Sequence, residues 1–81
     1  MIVRSLFFAS YRDMAGHDEL AVELPDGSRV ADLVAGLRAR GGGLARFPAS
    51  PVAAVNMDYA PLATVLRDGD EVAFIPPVAG G

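Results

Sequence analysis

Hydrophobic and polar residues alternate in short blocks in the first part of the chain. Residues 2–8 are mostly apolar and predict a strand. Residues 19–24 alternate charged and apolar side chains, as a strand with one buried face does. Between them, residues 9–17 predict an irregular crossing with a helical turn. The first quarter of the chain is therefore expected to hold two strands of a sheet.

A helical period follows. Apolar residues recur at i, i+3, i+4 and i+7 from Val30 to Leu37, which places them on one buried stripe of a helix. The start is expected at Ser28 or Arg29, and Ser28 is the better N-cap by chemistry. The glycines at 41–43 should end the helix.

The second half of the chain predicts shorter elements. These are a loop at 44–51, a buried strand at 52–55, a turn at 56–59, a brief strand or helical turn at 62–66, a tight turn at 68–70 and a last strand at 71–75. The order β-β-α-β-(β)-β predicts an α+β roll, with a mixed sheet packed against one main helix. The first and last strands should be parallel central neighbours, joined through the helix.

Composition narrows the function. With 81 residues the chain forms one small domain, and 52% hydrophobic residues suit a folded core. A net charge of −3 and seven scattered arginines argue against a nucleic-acid partner. No run approaches the roughly 18 apolar residues of a membrane span, and residues 1–16 do not resemble a signal peptide. No membrane partner and a cytoplasmic location are expected. Lysine is absent, for which codon bias is the simpler explanation than protection of an activated terminus.

Side chains that could support catalysis are scarce. Cysteine is absent, and His17 has no second nitrogen at metal-ligand spacing, so no metal site is expected. The serines lack a nucleophile motif, and Asp68-Gly-Asp70 is ordinary turn chemistry. The glycine run at 41–43 follows a helix and not a strand, so it is not a phosphate loop. The sequence therefore predicts no catalytic apparatus of its own.

The last residues are the most distinctive. Pro76 and Pro77 lack N–H donors and should end the final strand, followed by Val78, Ala79, Gly80 and Gly81. Because the two glycines have no Cβ, a narrow channel in a partner could close around them. The alternative is an ordinary frayed terminus.

These residues carry a resemblance. The segment from Leu66 to Gly81, the opening Leu6-Phe-Phe-Ala9, the helix from Val30 and the strand Ala54-Val-Asn56 resemble the MoaD-like ubiquitin-fold sulfur carriers, the family of the molybdopterin synthase small subunit. The resemblance implies a β-grasp (ubiquitin-like) roll at residues 1–76 and a flexible tail at 77–81. The thiamine-pathway sulfur carriers share this fold and ending, and an inert ubiquitin-like module is the alternative from another class.

In such carriers the terminal carboxylate, here that of Gly81, is adenylated by an activating enzyme that uses ATP and becomes a thiocarboxylate. No cofactor is bound permanently. The tail, Pro76 to Gly80 before the reactive residue, then enters the large catalytic subunit of molybdopterin synthase. There the sulfur passes to cyclic pyranopterin monophosphate. From Pro77 to Gly81 the tail spans at most about 17 Å. The chain is thus expected to be the sulfur-donating subunit of a sulfurtransferase complex.

The docking face can be chosen from the first strand. Arg4 shares a face with Phe8, and an unpaired arginine is seldom buried in a small core, so Phe8 is expected to point outward. The resemblance implies that Phe8, Tyr59 and Ile75 contact the large subunit. The alternative is that Phe8 belongs to the core.

Overall fold

A computed structural model describes residues 1–77. The elements are, in chain order, β1 (Ile2–Phe7), α1 (Ala9–Ala15), β2 (Glu19–Glu23), α2 (Val30–Ala39), a 3₁₀ helix (Gly42–Arg46), β3 (Val52–Val55), β4 (Asp58–Ala60) and β5 (Glu71–Ile75). The five strands form one sheet in the order β2-β1-β5-β3-β4. None of the helices in this part of the chain is long and apolar enough to cross a membrane.

The middle of the sheet is parallel and its flanks are antiparallel. β1 runs parallel to β5, whereas β2 pairs with β1, and β3 with both β5 and β4, in the antiparallel sense. The two parallel strands are the first and last of the chain, because the connection between them passes through α2. The predicted central pair is confirmed, and the topology is that of a β-grasp roll.

One face of the sheet carries the core. On β1, Val3 and Phe7 point inward and are buried, and so are Val72 and Phe74 on β5. The predicted stripe of α2 is confirmed, with four side chains at most 2% exposed: Val30, Leu33, Val34 and Leu37. The opposite face of the sheet, which we call the outer face, has no helix over it among residues 1–77.

The start of α2 differs from the prediction that favoured Ser28. Leu66 donates its N–H to the Ser28 carbonyl at 2.8 Å, and Arg29 bridges Val65, so both residues are held extended. The helix begins at Val30, whose N–H donates to the Thr64 carbonyl at 3.0 Å. Backbone carbonyls of the segment 62–64 therefore satisfy the first helical N–H groups, and Ser28 is not needed as a cap.

The hairpin of β3 and β4 also corrects the prediction. The turn was expected to span 56–59, with the optional strand at 62–66. Instead the turn is confined to Asn56 and Met57, and the chain pairs again at once, with Val55 opposite Asp58. Within 62–66 only Val65 makes a bridge. Two residues suffice because both adopt positive φ, as a tight hairpin turn requires.

Two segments expected to be irregular are helical. Residues 9–15 form α1, which ends where Gly16 takes a φ of 73° and donates its N–H to the Arg12 carbonyl. The predicted loop at 44–51 begins within the 3₁₀ helix. The sequence of this 3₁₀ helix has no periodic apolar pattern that would predict it. Phe47, which follows the helix, is 1% exposed, and its ring centroid lies 4.7 Å from that of Tyr11. Burial of this aromatic ring holds the segment against the core.

Candidate functional site

The site begins where β5 ends. β5 lies between β1 and β3, with Phe74 opposite Phe7 on one side and Ile75 opposite Val52 on the other. Pro76 and Pro77 follow, the first partly buried and the second exposed. The predicted tail residues Val78, Ala79, Gly80 and Gly81 lie outside the described residues. The chain therefore leaves the sheet from its middle, next to both neighbouring strands.

The root of the tail is anchored by aromatic packing. The Phe74 ring lies 6.0 Å from Phe7, stacked, and 5.2 Å from Phe47, edge to face, measured between centroids. A shallow groove beside Pro76 and Pro77 is also lined by Tyr11. Burial raises the pKa of the Tyr11 phenol, so this side chain stays neutral. The groove is thus an apolar surface with no charge of its own near the strand end.

An apolar patch covers the tail end of the outer face. Phe8 is 51% exposed, Tyr59 is 77% exposed and Ile75 is partly buried. Phe8 directly follows the residue paired with Phe74, which brings it beside Ile75. Tyr59 lies on β4, the second strand from β5, and pairs with Ala54. It is therefore two residues further from the strand end than the pair Val52–Ile75. The expected outward position of Phe8 agrees with its exposure, and the three predicted contact residues share one face.

The sequence prediction missed part of this patch. Val52, opposite Ile75, is 54% exposed, although its strand was predicted to be buried. The run Val52 to Val55 is continuously apolar, so alternation could not reveal which residues face outward. Ala54 also faces outward but is only 7% exposed, so it adds little to the accessible apolar surface. We call Phe8, Val52, Tyr59 and Ile75 together the apolar patch.

The other end of the outer face is charged. The Arg4 guanidinium donates to Glu19 Oε1 at 3.3 Å and to Glu71 Oε2. These side chains are between 32% and 51% exposed, so the pairs add little to stability. They do give one end of the face a polar border. The outer face therefore carries the apolar patch near the tail and, away from it, the Arg4 ion pairs beside the exposed Ile2.

The side chains of residues 1–77 that could ligate a metal do not form a cluster. His17 is exposed, next to Gly16 at the end of α1. Across residues 1–77, no three acidic or histidine side chains come together in a way that could hold a metal ion. Residues 1–77 offer the apolar patch and, beside it, the end of β5, which continues into Pro76 and Pro77. A small β-grasp domain with an exposed apolar patch is typical of proteins that bind a partner protein.

Comparison with known proteins identifies the family. The model of the ThiS family matches residues 5–81, so the chain belongs to this family. The "Molybdopterin synthase sulfur carrier subunit" of Chlamydomonas reinhardtii is 40% identical over the whole length of both chains. Its counterpart from Mycobacterium tuberculosis is 42% identical, with 98% of this chain and 96% of the relative covered.

One similar chain of known structure is part of a protein–protein complex. The complex of subunits 1 and 2 of molybdopterin-converting factor from Helicobacter pylori contains a chain that matches this one with a TM-score of 0.70 and 27% identity, over 100% of both chains. In that structure the similar chain is bound to a second subunit.

Proposed function

We propose that the chain is the sulfur-carrier subunit of molybdopterin synthase and that it donates sulfur from the carboxyl group of Gly81 to cyclic pyranopterin monophosphate. The observation that carries this proposal is the full-length similarity to relatives named for that role. The geometry supports it, because β5 leads into the Gly-Gly ending directly beside an exposed apolar patch. The alternative is the thiamine-pathway carrier, which differs in the acceptor of the sulfur.

Activation must precede transfer. A carboxylate is a poor electrophile until one of its oxygens becomes part of a good leaving group. An oxygen of the Gly81 carboxylate attacks the α-phosphorus of ATP, with loss of pyrophosphate, and gives an acyl-adenylate on a separate activating enzyme. A sulfide-level nucleophile, hydrosulfide or its equivalent from a sulfur donor, then attacks the acyl carbon, and AMP leaves as the C–O bond breaks, which produces the thiocarboxylate without any change in oxidation state. ATP is thus a substrate of the partner enzyme. A cytoplasmic location agrees with this need for ATP.

The large catalytic subunit is the second partner. It would cover the apolar patch, where Phe8, Tyr59 and Ile75 offer two aromatic rings and a branched aliphatic side chain. Such a cluster is typical of the centre of an interface. From Pro77, the last residues reach at most about 17 Å, enough to cross the wall of a partner's active site. Docking at the patch would therefore bring the Gly81 sulfur to the acceptor.

Deletion of Gly81 tests the proposal. Wild-type protein from a sulfur-competent cell should gain about 16 Da when one terminal oxygen is replaced by sulfur, and should convert the pterin precursor with the large subunit. The variant without Gly81 should do neither. Its melting temperature should equal that of the wild type, because the core formed within residues 1–77 is left intact. Normal conversion without Gly81 would refute the carrier role.

Substitution of Gly80 tests the passage of the tail. A β-branched side chain should collide with a channel that fits two glycines, so Gly80→Val should block activation or transfer while the protein melts like the wild type. The mass of the protein separates the two steps, since the 16 Da gain reports activation alone. A fully active Gly80→Val protein would show that the tail does not pass through a narrow channel.

A further inference from the structure

The turn between β3 and β4 holds an unusual residue. Asn56 and Met57 have φ values of +49° and +74°. In this left-handed region a Cβ approaches the following carbonyl oxygen, so glycine is free of strain, asparagine is tolerated and methionine is disfavoured. Glycine is the residue expected at the second position of such a turn. Met57 therefore occupies its place in the turn at a conformational cost.

The turn itself does not need the Met57 side chain. Asn56 holds the hairpin: its side-chain amide donates to Asp70 Oδ1 at 2.9 Å, and its side-chain oxygen accepts from the Glu71 N–H at 3.0 Å. Its backbone N–H also donates to the Glu71 carbonyl at 2.8 Å. The Met57 side chain is 92% exposed, so the fold of residues 1–77 gains almost nothing from it. Neither the backbone nor the packing explains a methionine here.

The position of Met57 suggests an explanation. It lies two residues before Tyr59, which belongs to the apolar patch and is 77% exposed. Ala9, the remaining non-glycine residue with positive φ in residues 1–77, directly follows Phe8, another residue of the patch. Strained backbone tends to occur where binding or catalysis requires a particular arrangement. The non-glycine residues with positive φ among residues 1–77 thus adjoin the proposed docking surface next to Phe8 and near Tyr59.

We propose that Met57 is an additional contact with the large subunit of molybdopterin synthase, which extends the docking surface beyond Tyr59 to the end of the hairpin. This inference rests on the proposed function. Methionine suits the role because its unbranched thioether side chain adapts to an irregular pocket. Once the partner covers Met57, the apolar side chain that lies in water in the free protein is buried. The binding free energy gained in this way offsets the conformational cost of a methionine in the turn.

Replacement by glycine separates strain from contact. Met57→Gly should relieve the strain and raise the melting temperature by about 4 °C. At the same time it should weaken binding to the purified large subunit about fivefold or more in a calorimetric titration. Met57→Leu keeps an apolar side chain and should bind within about twofold of the wild type. Val65→Ala is the matched control, because Val65 is 52% exposed but bridges Arg29 away from the outer face.

The titrations decide between the possible results. Weaker binding by Met57→Gly alone, beside normal binding by Met57→Leu and Val65→Ala, supports the contact. Equal affinity of Met57→Gly and the wild type refutes it and leaves the proposed function standing. Equal weakening by Met57→Leu and Met57→Gly also refutes it, since an apolar side chain would then not be what binds. If the wild-type protein does not bind the large subunit, the proposed function and this inference both fail.

Discussion

Truncation of two neighbouring phenylalanines separates the core from the docking surface. Phe7 is 2% exposed and Phe8 is 51% exposed, although they are adjacent in the chain. A phenylalanine side chain offers about 200 Å² of surface, so about 100 Å² of Phe8 remains for a partner to bury. At about 25 cal/mol per Å², this area is worth about 2.5 kcal/mol of binding free energy.

The expected effect of Phe8→Ala on stability is smaller than that of a core truncation. Truncation of a completely buried phenylalanine to alanine lowers the free energy of unfolding by about 3–5 kcal/mol. Half of the Phe8 side chain is already in water. The free energy of unfolding should therefore fall by at most about 2 kcal/mol. The backbone role of Phe8 is kept, because its carbonyl still accepts from the Tyr11 N–H at 3.0 Å. Phe7→Ala, the matched control, should lose the full 3–5 kcal/mol.

Two measurements on each variant check this reasoning. Calorimetric titration against the large subunit should show that Phe8→Ala costs about 2 kcal/mol or more of affinity. Urea unfolding should show that only Phe7→Ala is severely destabilised. If Phe8→Ala lost about 3 kcal/mol or more of stability, the ring would belong to the interior and the docking face would be misplaced. Unchanged affinity would remove Phe8 from the interface.

Two further predictions concern the core. A Cβ at Gly43 would overlap the Met14 carbonyl oxygen, so Gly43→Ala should destabilise the protein by about 1–3 kcal/mol. Gly36 lies inside α2 and a Cβ there would meet nothing within 4 Å, so Gly36→Ala should stabilise the protein by about 1 kcal/mol. Equal unfolding curves for the two variants would contradict the close approach at Gly43. The Ser5 hydroxyl is fully buried and has no hydrogen-bond partner among the described residues. Ser5→Ala should therefore stabilise the protein by about 1 kcal/mol in a thermal melt, and a loss of stability would mean that the hydroxyl forms a hydrogen bond.

The sequence predicted the elements in which local pattern and tertiary environment agree. α2 was found because its large apolar residues repeat with the helical period and all four of them are buried: Val30, Leu33, Val34 and Leu37. β5 was found because the turn Asp68–Asp70 and the two prolines mark its ends. The outward position of Phe8 followed from Arg4 on the same face, since a charged residue indicates which face of a strand points to solvent when both faces carry apolar residues.

The elements that were missed depend on contacts far away in the chain. β4 starts with Asp58 and Tyr59, which read as turn residues, and it forms because β3 lies next to it. The 3₁₀ helix has one buried residue of its own, Leu44, so no periodic signal marks it. Arg29 was one of the two N-caps that the sequence offered, but Ser28 was preferred because the sequence does not show that backbone carbonyls from the segment 62–64 accept the first helical N–H groups. Pattern alone could not reveal these neighbours.

The central place of β5 links the fold to the proposed chemistry. A strand at an edge is paired on one side and can fray, but β5 is paired along both edges, and Phe74 is fully buried. The strand end cannot shift without disturbing the packing of Phe7 and Phe47. Because Ile75 belongs to both the strand and the apolar patch, a partner that grips the patch holds the starting point of the tail at a fixed place. The terminal carboxyl group of Gly81 can then lie at most about 17 Å from Pro77, so docking at the patch sets where the sulfur can reach in the partner.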